Sequence, residues 1–361
     1  MSDGLRFAFF GSSLVSSYWN GACTYYRGII RSLHARGHTT CFYEPRAYGR
    51  QEHRDIPDPD WAQVVIYEPD DAAALVSLAR DADVVVKTSG VGVADDVLEA
   101  AVAELEGPQL KIFWDVDAPA TLAQVERDPD DPLRELIPDY GLVLTYGGGD
   151  PVVRRYEALG ARRCVAVYNA LDPATHHPVA PEPGLAADIS FLGNRLPDRE
   201  ARVEEFFLRA AEQAPTRRFL LGGSGWEGKP IAPNVRWIGH VGTESHNALN
   251  CSALAVLNVT RESMAANGWS PPTRVFEAAG AGACLITDAW EGIEDFLEPG
   301  REVVVARNGD EVARHVELLE WERAAAIGAA ARERVCGEHT YAQRAEQIER
   351  VLDDALAGDG R

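Results

Sequence analysis

Arg274 and Glu277 lie one helical turn apart at the start of a predicted helix, after the segment Ser270-Pro271-Pro272-Thr273. Serine is a good N-cap and proline is tolerated in the first turn, so Ser270 predicts the helix start. The exposed N–H groups and dipole of such a terminus attract phosphate. Arg274 can add charge-assisted hydrogen bonds, and Glu277 is an acceptor suited to a ribose diol. Together these residues predict a site for a nucleoside diphosphate.

Loops after two predicted strands offer further contacts for a nucleotide donor. Gly193-Asn194-Arg195 follows an apolar run, where glycine permits close backbone approach and arginine reaches phosphate. A surface turn with a solvated arginine is the alternative. Gly223 and Trp226 belong to a second glycine-rich strand exit. Trp226 is either a platform for the base or a cap on the hydrophobic core.

The next strand exits lead toward the same helix. His240-Val241 ends one strand, where backbone groups could contact a base, although a lone histidine is more often structural. Asn258 and Arg261 begin a polar segment where the leaving group of the donor would lie. The complete predicted donor-binding set is Gly193, Asn194, Arg195, Gly223, Trp226, His240, Val241, Asn258, Arg261, Ser270, Pro272, Thr273, Arg274 and Glu277.

In the first half, Asp115 and Asp117 directly follow an apolar strand, and either could accept a proton from an acceptor hydroxyl. The pair also resembles an Asp-x-Asp metal motif, but two carboxylates do not define a coordination sphere, and we predict no metal ligand. The predicted catalytic residues are Asp115, Asp117 and Arg274. The residues expected to contact the acceptor all lie in polar or glycine-containing loops that follow predicted strands. They are Gly11, Ser12, Asn20, Gly21, Ser89 and Gly148.

Apolar strand-like runs alternate with amphipathic helical segments along the whole chain, which indicates an α/β fold with parallel sheets. We predict seven strands in a Rossmann-like domain over residues 1–171 and six in a second over 188–340. The proline-rich residues 172–187 form the predicted linker, and a helix over 341–361 is expected to cross back to the first domain. Two facing domains of this kind would bind ligand in the crevice between them.

The composition excludes several functions. With 35 basic and 56 acidic side chains the formal net charge is −21, which argues against a nucleic acid or an anionic membrane as partner. Six cysteines occur without a CxxC pair and are expected to be reduced. The chain begins without a signal-peptide pattern, and no apolar run approaches the roughly 20 residues of a transmembrane helix. These features predict a soluble, cytoplasmic protein.

The run from Asn258 through Thr273-Arg274-Val-Phe-Glu277 to Pro299-Gly300 resembles the donor domain of the CgeB-like glycosyltransferases, which have the GT-B fold. The resemblance is strong over 188–341 and looser before it, where 113–119 and 145–150 are similar to family segments. It implies that Glu277 holds the ribose, that Arg195 and Arg274 hold the diphosphate, and that the loops at Gly223 and His240 hold the base. Related retaining enzymes carry a second glutamate eight positions earlier, where this chain has Trp269.

The resemblance implies a glycosyltransferase that moves a sugar from a nucleoside-diphosphate sugar to a small-molecule or saccharide acceptor, without a metal or other cofactor. A nucleotide-sugar 2-epimerase of the same fold and a non-catalytic nucleotide-sugar binding protein are the alternatives. A NAD-dependent dehydrogenase is disfavoured, because the exit of the first strand lacks the glycine spacing of a dinucleotide site. The sequence does not fix the oligomeric state.

Overall fold

The computed structural model describes residues 4–18 and 20–358. It divides into two compact units, one formed by residues up to Asn169 together with those from Tyr341 onward, and the other by Ala170–Thr340.

The first unit is built on a parallel sheet of seven strands within the described residues. The strands are β1 (Arg6–Phe10), β2 (Thr39–Pro45), β3 (Gln63–Tyr67), β4 (Val84–Thr88), β5 (Leu110–Asp115), β6 (Leu142–Thr145) and β7 (Cys164–Ala166). The helices before Asn169 are α1 (Cys23–Ala35), α2 (Ala72–Leu78), α3 (Asp95–Ala103), α4 (Ala118–Arg127), α5 (Pro132–Leu136) and α6 (Gly149–Ala158). The strand order is β3-β2-β1-β4-β5-β6-β7. The order reverses between β1 and β4, and ligands bind at the carboxyl ends of strands beside such a reversal.

The second unit repeats this plan with a parallel sheet of six strands among its described residues, all of which lie in 170–340. The strands are β8 (Ala187–Leu192), β9 (Phe219–Gly222), β10 (Val235–Trp237), β11 (Ala253–Asn258), β12 (Leu285–Asp288) and β13 (Val304–Ala306). The helices are α7 (Pro197–Val203), α8 (Arg209–Gln213), α9 (His246–Ser252), α10 (Glu262–Asn267), α11 (Thr273–Gly280), α12 (Gly309–Leu318) and α13 (Trp321–Glu338). A π-helical turn, Glu204–Leu208, joins α7 to α8. The order β10-β9-β8-β11-β12-β13 reverses between β8 and β11.

The proline-rich segment after Ala170 is part of the second unit and packs within it. Its backbone N–H groups at His177 and Glu182 donate to Asn247 Oδ1 and Ser252 Oγ, at 3.3 and 2.8 Å. His176 is buried within it, at 3 % exposure. The segment therefore contributes side chains to the interior of this unit.

The last helix, α14 (Tyr341–Gly358), belongs to the first unit and packs on α1. The aromatic ring of Tyr341 fills the space beside Gly28, where a Cβ atom would lie 2.2 Å from the ring. Any larger residue at position 28 would therefore displace Tyr341. Residues 359–361, which the predicted helix included, lie outside the described residues.

The sequence correctly predicted the strands. Buried parallel strands are continuous apolar runs, and each of the thirteen predicted runs forms a strand with only small shifts at its ends. All six cysteines are free, and Cys23, Cys164 and Cys284 are buried. Over residues 4–358, Trp19 excepted, none of the helices combines the length and apolarity that a membrane crossing requires.

Candidate functional site

The helix α11 begins two residues later than the sequence predicted. Pro272 is its N-cap, in an extended conformation, and Ser270 does not cap it. The Ser270 hydroxyl instead donates to the Gly268 carbonyl at 3.0 Å. The cause is local, because consecutive prolines keep the chain extended up to Thr273. The first N–H groups of the helix are thus those of Thr273 and Arg274, which have no carbonyl one turn earlier to bond.

Arg274 is a half-buried cation, and among the described residues no carboxylate lies within ion-pair distance of it. Burial lowers the pKa of its guanidinium to about 10, against the raising effect of Glu277. A second positive charge, that of Arg199 on α7, contributes to the lowering. A Cβ atom added to Gly193 would lie 3.1 Å from Arg199 Nη1, so this guanidinium lies over the glycine. Two neighbouring guanidinium groups at a helix N-terminus favour a bound anion such as a diphosphate.

Glu277 lies one turn into α11 and is 7 % exposed. Burial alone would raise the pKa of its carboxyl group, but the charges of His176 and His246, and then that of Arg274, lower it below its ordinary value. A hydrogen bond from the Thr273 side chain acts in the same direction. Glu277 is therefore a charged, partly enclosed acceptor beside two imidazoles.

The loops after β8 and β9 are joined through Gly193 and Gly223. Gly223 has a φ of +116°, and a Cβ there would lie 2.2 Å from the Gly193 carbonyl oxygen, so only glycine fits. That carbonyl accepts a 2.8 Å hydrogen bond from Trp226 Nε1. Trp226 is 2 % exposed and packs in the core, so it is not a platform for a base. The indole N–H donates to a carbonyl inside the fold, and this hydrogen bond holds the ring in the core.

Four other predicted donor-binding side chains are engaged within the protein. Arg195 forms a 2.6 Å ion pair with Glu200, and Arg261 pairs with Asp198. Asn258 is 1 % exposed, and its amide donates to Thr287 Oγ1 at 3.0 Å. Asn258 is thus a structural residue at the end of β11. Asn194 also acts locally, since its Oδ1 accepts from Ser224 N at 2.9 Å.

The helix that carries Arg199 is fixed by an ion pair. Arg202, one turn further along α7, donates to Asp288 Oδ2 at 2.6 Å and to the Thr260 carbonyl at 2.8 Å. Asp288 is fully buried at the end of β12 and also accepts from Thr260 N at 3.0 Å. Burial raises the pKa of Asp288, and the nearby Arg202 charge opposes that effect. This network places α7, and with it Arg199, against the carboxyl ends of β11 and β12.

His240 is exposed after β10, with Gly239 before it at a φ of +73°. The half-buried Val241 follows, and its backbone bonds the ring of His246. The predicted contact of His240 and Val241 with a base stays a prediction.

In the first unit, Asp115 is enclosed rather than poised for a substrate. It is fully buried at the end of β5 and accepts hydrogen bonds from Ser89 Oγ at 2.6 Å and Tyr156 OH at 2.5 Å. It also accepts from Asp117 N at 2.9 Å and Thr121 Oγ1 at 3.1 Å. Burial raises its pKa, and the hydroxyl donors oppose that shift. We therefore do not retain Asp115, or its donor Ser89, as a substrate contact.

Asp117 lies two residues on, half-buried at the N-terminus of α4. Its predicted role as the proton acceptor is compatible with this position and stays a prediction.

The loop after β1 is held by its own side chains. Ser12 Oγ donates to Asn20 Oδ1 at 3.0 Å, and the Asn20 amide donates to the Ser13 carbonyl at 2.9 Å. Both side chains are buried, so they shape the loop. Gly11 is needed because a Cβ there would lie 2.5 Å from the Phe42 ring. The remaining predicted acceptor-side glycines are Gly21, which is exposed, and Gly148, which caps α6 with a φ of +91°.

The predicted set did not include Arg199, His176 or His246. Arg199 had a usable signal, since it lies four residues after Arg195 on a helix that begins at the exit of the first strand of the domain. The histidines had none, because they lie 101 and 31 residues before Glu277 and on different elements. Only the fold brings them to the same carboxylate.

Comparison with known proteins identifies the fold. Residues 199–350 match the family model described as glycosyl transferase-like. A sucrose-phosphate synthase from Thermosynechococcus elongatus superposes with a TM-score of 0.72 at 13 % identity, covering 98 % of this chain and 100 % of that one. The Anabaena protein HepE, in complex with UDP and glucose, gives 0.68 at 13 %, covering 97 % and 100 %. An α-glucosyltransferase in complex with UDP-glucose and DNA containing an abasic site gives 0.72 at 9 %, covering 97 % and 100 %.

The chain thus has the GT-B architecture of two Rossmann-like α/β domains and carries a glycosyl transferase-like domain. No curated protein sequence matches it at a significant level.

Proposed function

We propose that the protein is a glycosyltransferase that moves a sugar, most simply a hexose, from a nucleoside-diphosphate sugar to a small-molecule or saccharide acceptor. The observation that carries the proposal is Arg274 in the first turn of α11, close enough to the positive charge of Arg199 for its pKa to be lowered, with the charged Glu277 one turn further in. The glycosyl transferase-like domain over 199–350 supports it, and membership of the CgeB-like group is the finer form of the same proposal. The free cysteines suit a reducing compartment such as the cytoplasm.

The leaving diphosphate develops negative charge as the glycosidic bond to the donor breaks. Arg274, Arg199 and the N–H groups of α11 supply positive charge at fixed positions, so we propose that transfer needs no metal at the diphosphate. Glu277 accepts hydrogen bonds from the ribose hydroxyls and fixes the nucleotide along the helix. Asp117 is the proposed proton acceptor for the attacking hydroxyl.

Calorimetric titration with UDP, GDP, TDP, CDP and ADP in EDTA tests the donor site. Uridine is the first base to try, because HepE was crystallised with UDP. Loss of one charge-assisted contact costs about 1.5–3 kcal/mol, so Arg274→Ala should weaken nucleotide binding by about 10- to 150-fold. Glu277→Ala should also weaken it. Arg314→Ala, at an exposed arginine of α12, is the matched control and should bind as the wild type does.

Absence of binding to all five nucleotides would contradict the proposal. So would binding that is equally strong in Arg274→Ala and the control. A nucleotide-binding protein that forms no glycoside with any acceptor mixture, when supplied with the sugar nucleotide of the preferred base, would be a binding protein and not an enzyme.

A further inference from the structure

Three side chains from separate elements of the second unit bring metal-ligating atoms together. They are His176, from the segment after Ala170; His246, the first residue of α9; and Glu277, in α11. One ligand atom of each lies within 4.8 Å of the other two. His176 Nε2 is 4.0 Å from Glu277 Oε1, beyond the length of a direct hydrogen bond. The three groups therefore border one space, and His176 and Glu277 do not bond each other directly across it.

We propose that His176, His246 and Glu277 form a binding site for a divalent transition-metal ion of the zinc type. Two imidazole nitrogens and a carboxylate are a ligand set that zinc accepts, with a further position left for water. Tetrahedral ligands about 2.0–2.1 Å from zinc are about 3.4 Å apart. The 4.0 Å between His176 and Glu277 would close by roughly 0.6 Å, and the other two distances, which are at most 4.8 Å, by no more than about 1.4 Å.

The outer partners of both histidines suit this role. His176 Nδ1 lies 3.0 Å from Thr175 Oγ1, which leaves Nε2 directed at Glu277. The His246 ring is also held from outside, because it bonds the backbone of Val241. Metal-binding histidines are commonly oriented in this way by a bond from the other ring nitrogen.

The surroundings allow an ion to enter but also oppose it. His176 is buried and fixes one side of the site, whereas His246 is only half-buried, which leaves an approach. The guanidinium of Arg274 acts on both His246 and Glu277 and repels a cation. Arg274→Ala should therefore tighten zinc binding by several-fold while it weakens nucleotide binding. Opposite changes in one variant separate this proposal from the proposed function.

Zinc titration of the chelator-treated full-length protein by calorimetry is the test. The wild type should bind one equivalent of Zn²⁺. In His176→Gln and in Glu277→Gln, zinc binding should be lost or its affinity should fall by more than about 100-fold. Loss of a ligand should cost more than loss of a residue that only orients a ligand, which lowers metal affinity by about 10- to 100-fold. His177→Gln is the matched control, since it changes the exposed adjacent imidazole and should retain the wild-type affinity. Thermal melting confirms that each variant is folded.

Titration with Co²⁺ on the wild-type protein distinguishes this site from the six cysteines without any variant. Nitrogen and oxygen ligands give weak visible bands, whereas thiolate ligands add intense charge-transfer absorption in the near ultraviolet. A thiolate spectrum, an absence of zinc binding, or equal zinc affinity in His176→Gln and His177→Gln would overturn the proposal. Nucleotide binding in EDTA is measured separately, so zinc binding without nucleotide binding would overturn the proposed function alone.

Discussion

Replacing Asp115 by alanine tests whether this carboxylate holds the first unit together. The substitution leaves Ser89 Oγ, Tyr156 OH and Asp117 N without the acceptor that they now share, while Thr121 can turn to the Asp117 carbonyl, 3.4 Å away. Each buried donor left unpaired costs about 1–3 kcal/mol. The substitution also removes a carboxylate whose burial is itself unfavourable, which recovers part of that cost. We therefore take the low end of the sum for the three donors, about 3 kcal/mol.

For a unit of this size 1 kcal/mol shifts the melting temperature by about 2–4 °C, so Asp115→Ala should lower the transition of the first unit by about 6–12 °C. Differential scanning calorimetry measures this, and the two units are fitted as separate transitions. Asp115→Asn keeps one acceptor oxygen and should recover part of the loss. Asp117→Ala is the control: its side chain makes no capping bond to α4, so we expect a change below about 1 kcal/mol.

A melting temperature for Asp115→Ala within about 2 °C of the wild type would refute this reasoning, because it would mean that the four donors find other partners at little cost. Unchanged stability together with lost turnover would instead return Asp115 to the role of a proton acceptor.

Two further predictions follow from burial. Trp226→Phe leaves the Gly193 carbonyl without its donor and should lower the free energy of unfolding in urea by about 1–2 kcal/mol. If Trp226 were a platform for the base, the same variant would weaken nucleotide binding and leave the stability unchanged. Burial raises the pKa of the Cys23, Cys164 and Cys284 thiols to about 12, so very little thiolate is present at pH 8. Iodoacetamide should therefore label these three cysteines only after unfolding. Mass spectrometry of the labelled peptides is the measurement, and labelling of the folded protein would contradict the burial of these thiols.

The fold could be predicted because its signals are local and repeated. A strand buried on both faces needs a largely apolar run, as in residues 7–10 and 253–257, and the amphipathic stretches between such runs must be the crossover helices. Parallel strands joined by helices then place all the connecting loops at defined edges of the sheet. The positions of Gly193, Gly223 and Arg274 at the carboxyl edge follow from this topology alone.

Side-chain direction could not be predicted in the same way. Trp226 follows a strand, Asp115 ends one and Arg274 lies in the first turn of a helix. The indole and the carboxylate nevertheless bond buried partners and turn inward. Those partners, the Gly193 carbonyl and the Tyr156 hydroxyl, lie 33 and 41 residues away, and no spacing rule connects them. Competition between a buried partner and a ligand depends on packing, which a single sequence does not reveal.

Glu277 shows how such packing decides chemistry. A buried carboxylate would ordinarily favour its neutral form, but the charges of His176, His246 and Arg274 reverse that preference and lower its pKa. The same ionised oxygens can accept hydrogen bonds from ribose hydroxyls or bind a metal ion. The neighbours of Glu277 favour different ligands: Arg274 attracts phosphate and repels a metal ion, whereas each imidazole binds a metal ion in its deprotonated form. Because both proposals use the same carboxylate, a bound metal ion would take Glu277 from the ribose. Chelation should then leave donor binding intact or improve it, the reverse of what an essential metal would produce.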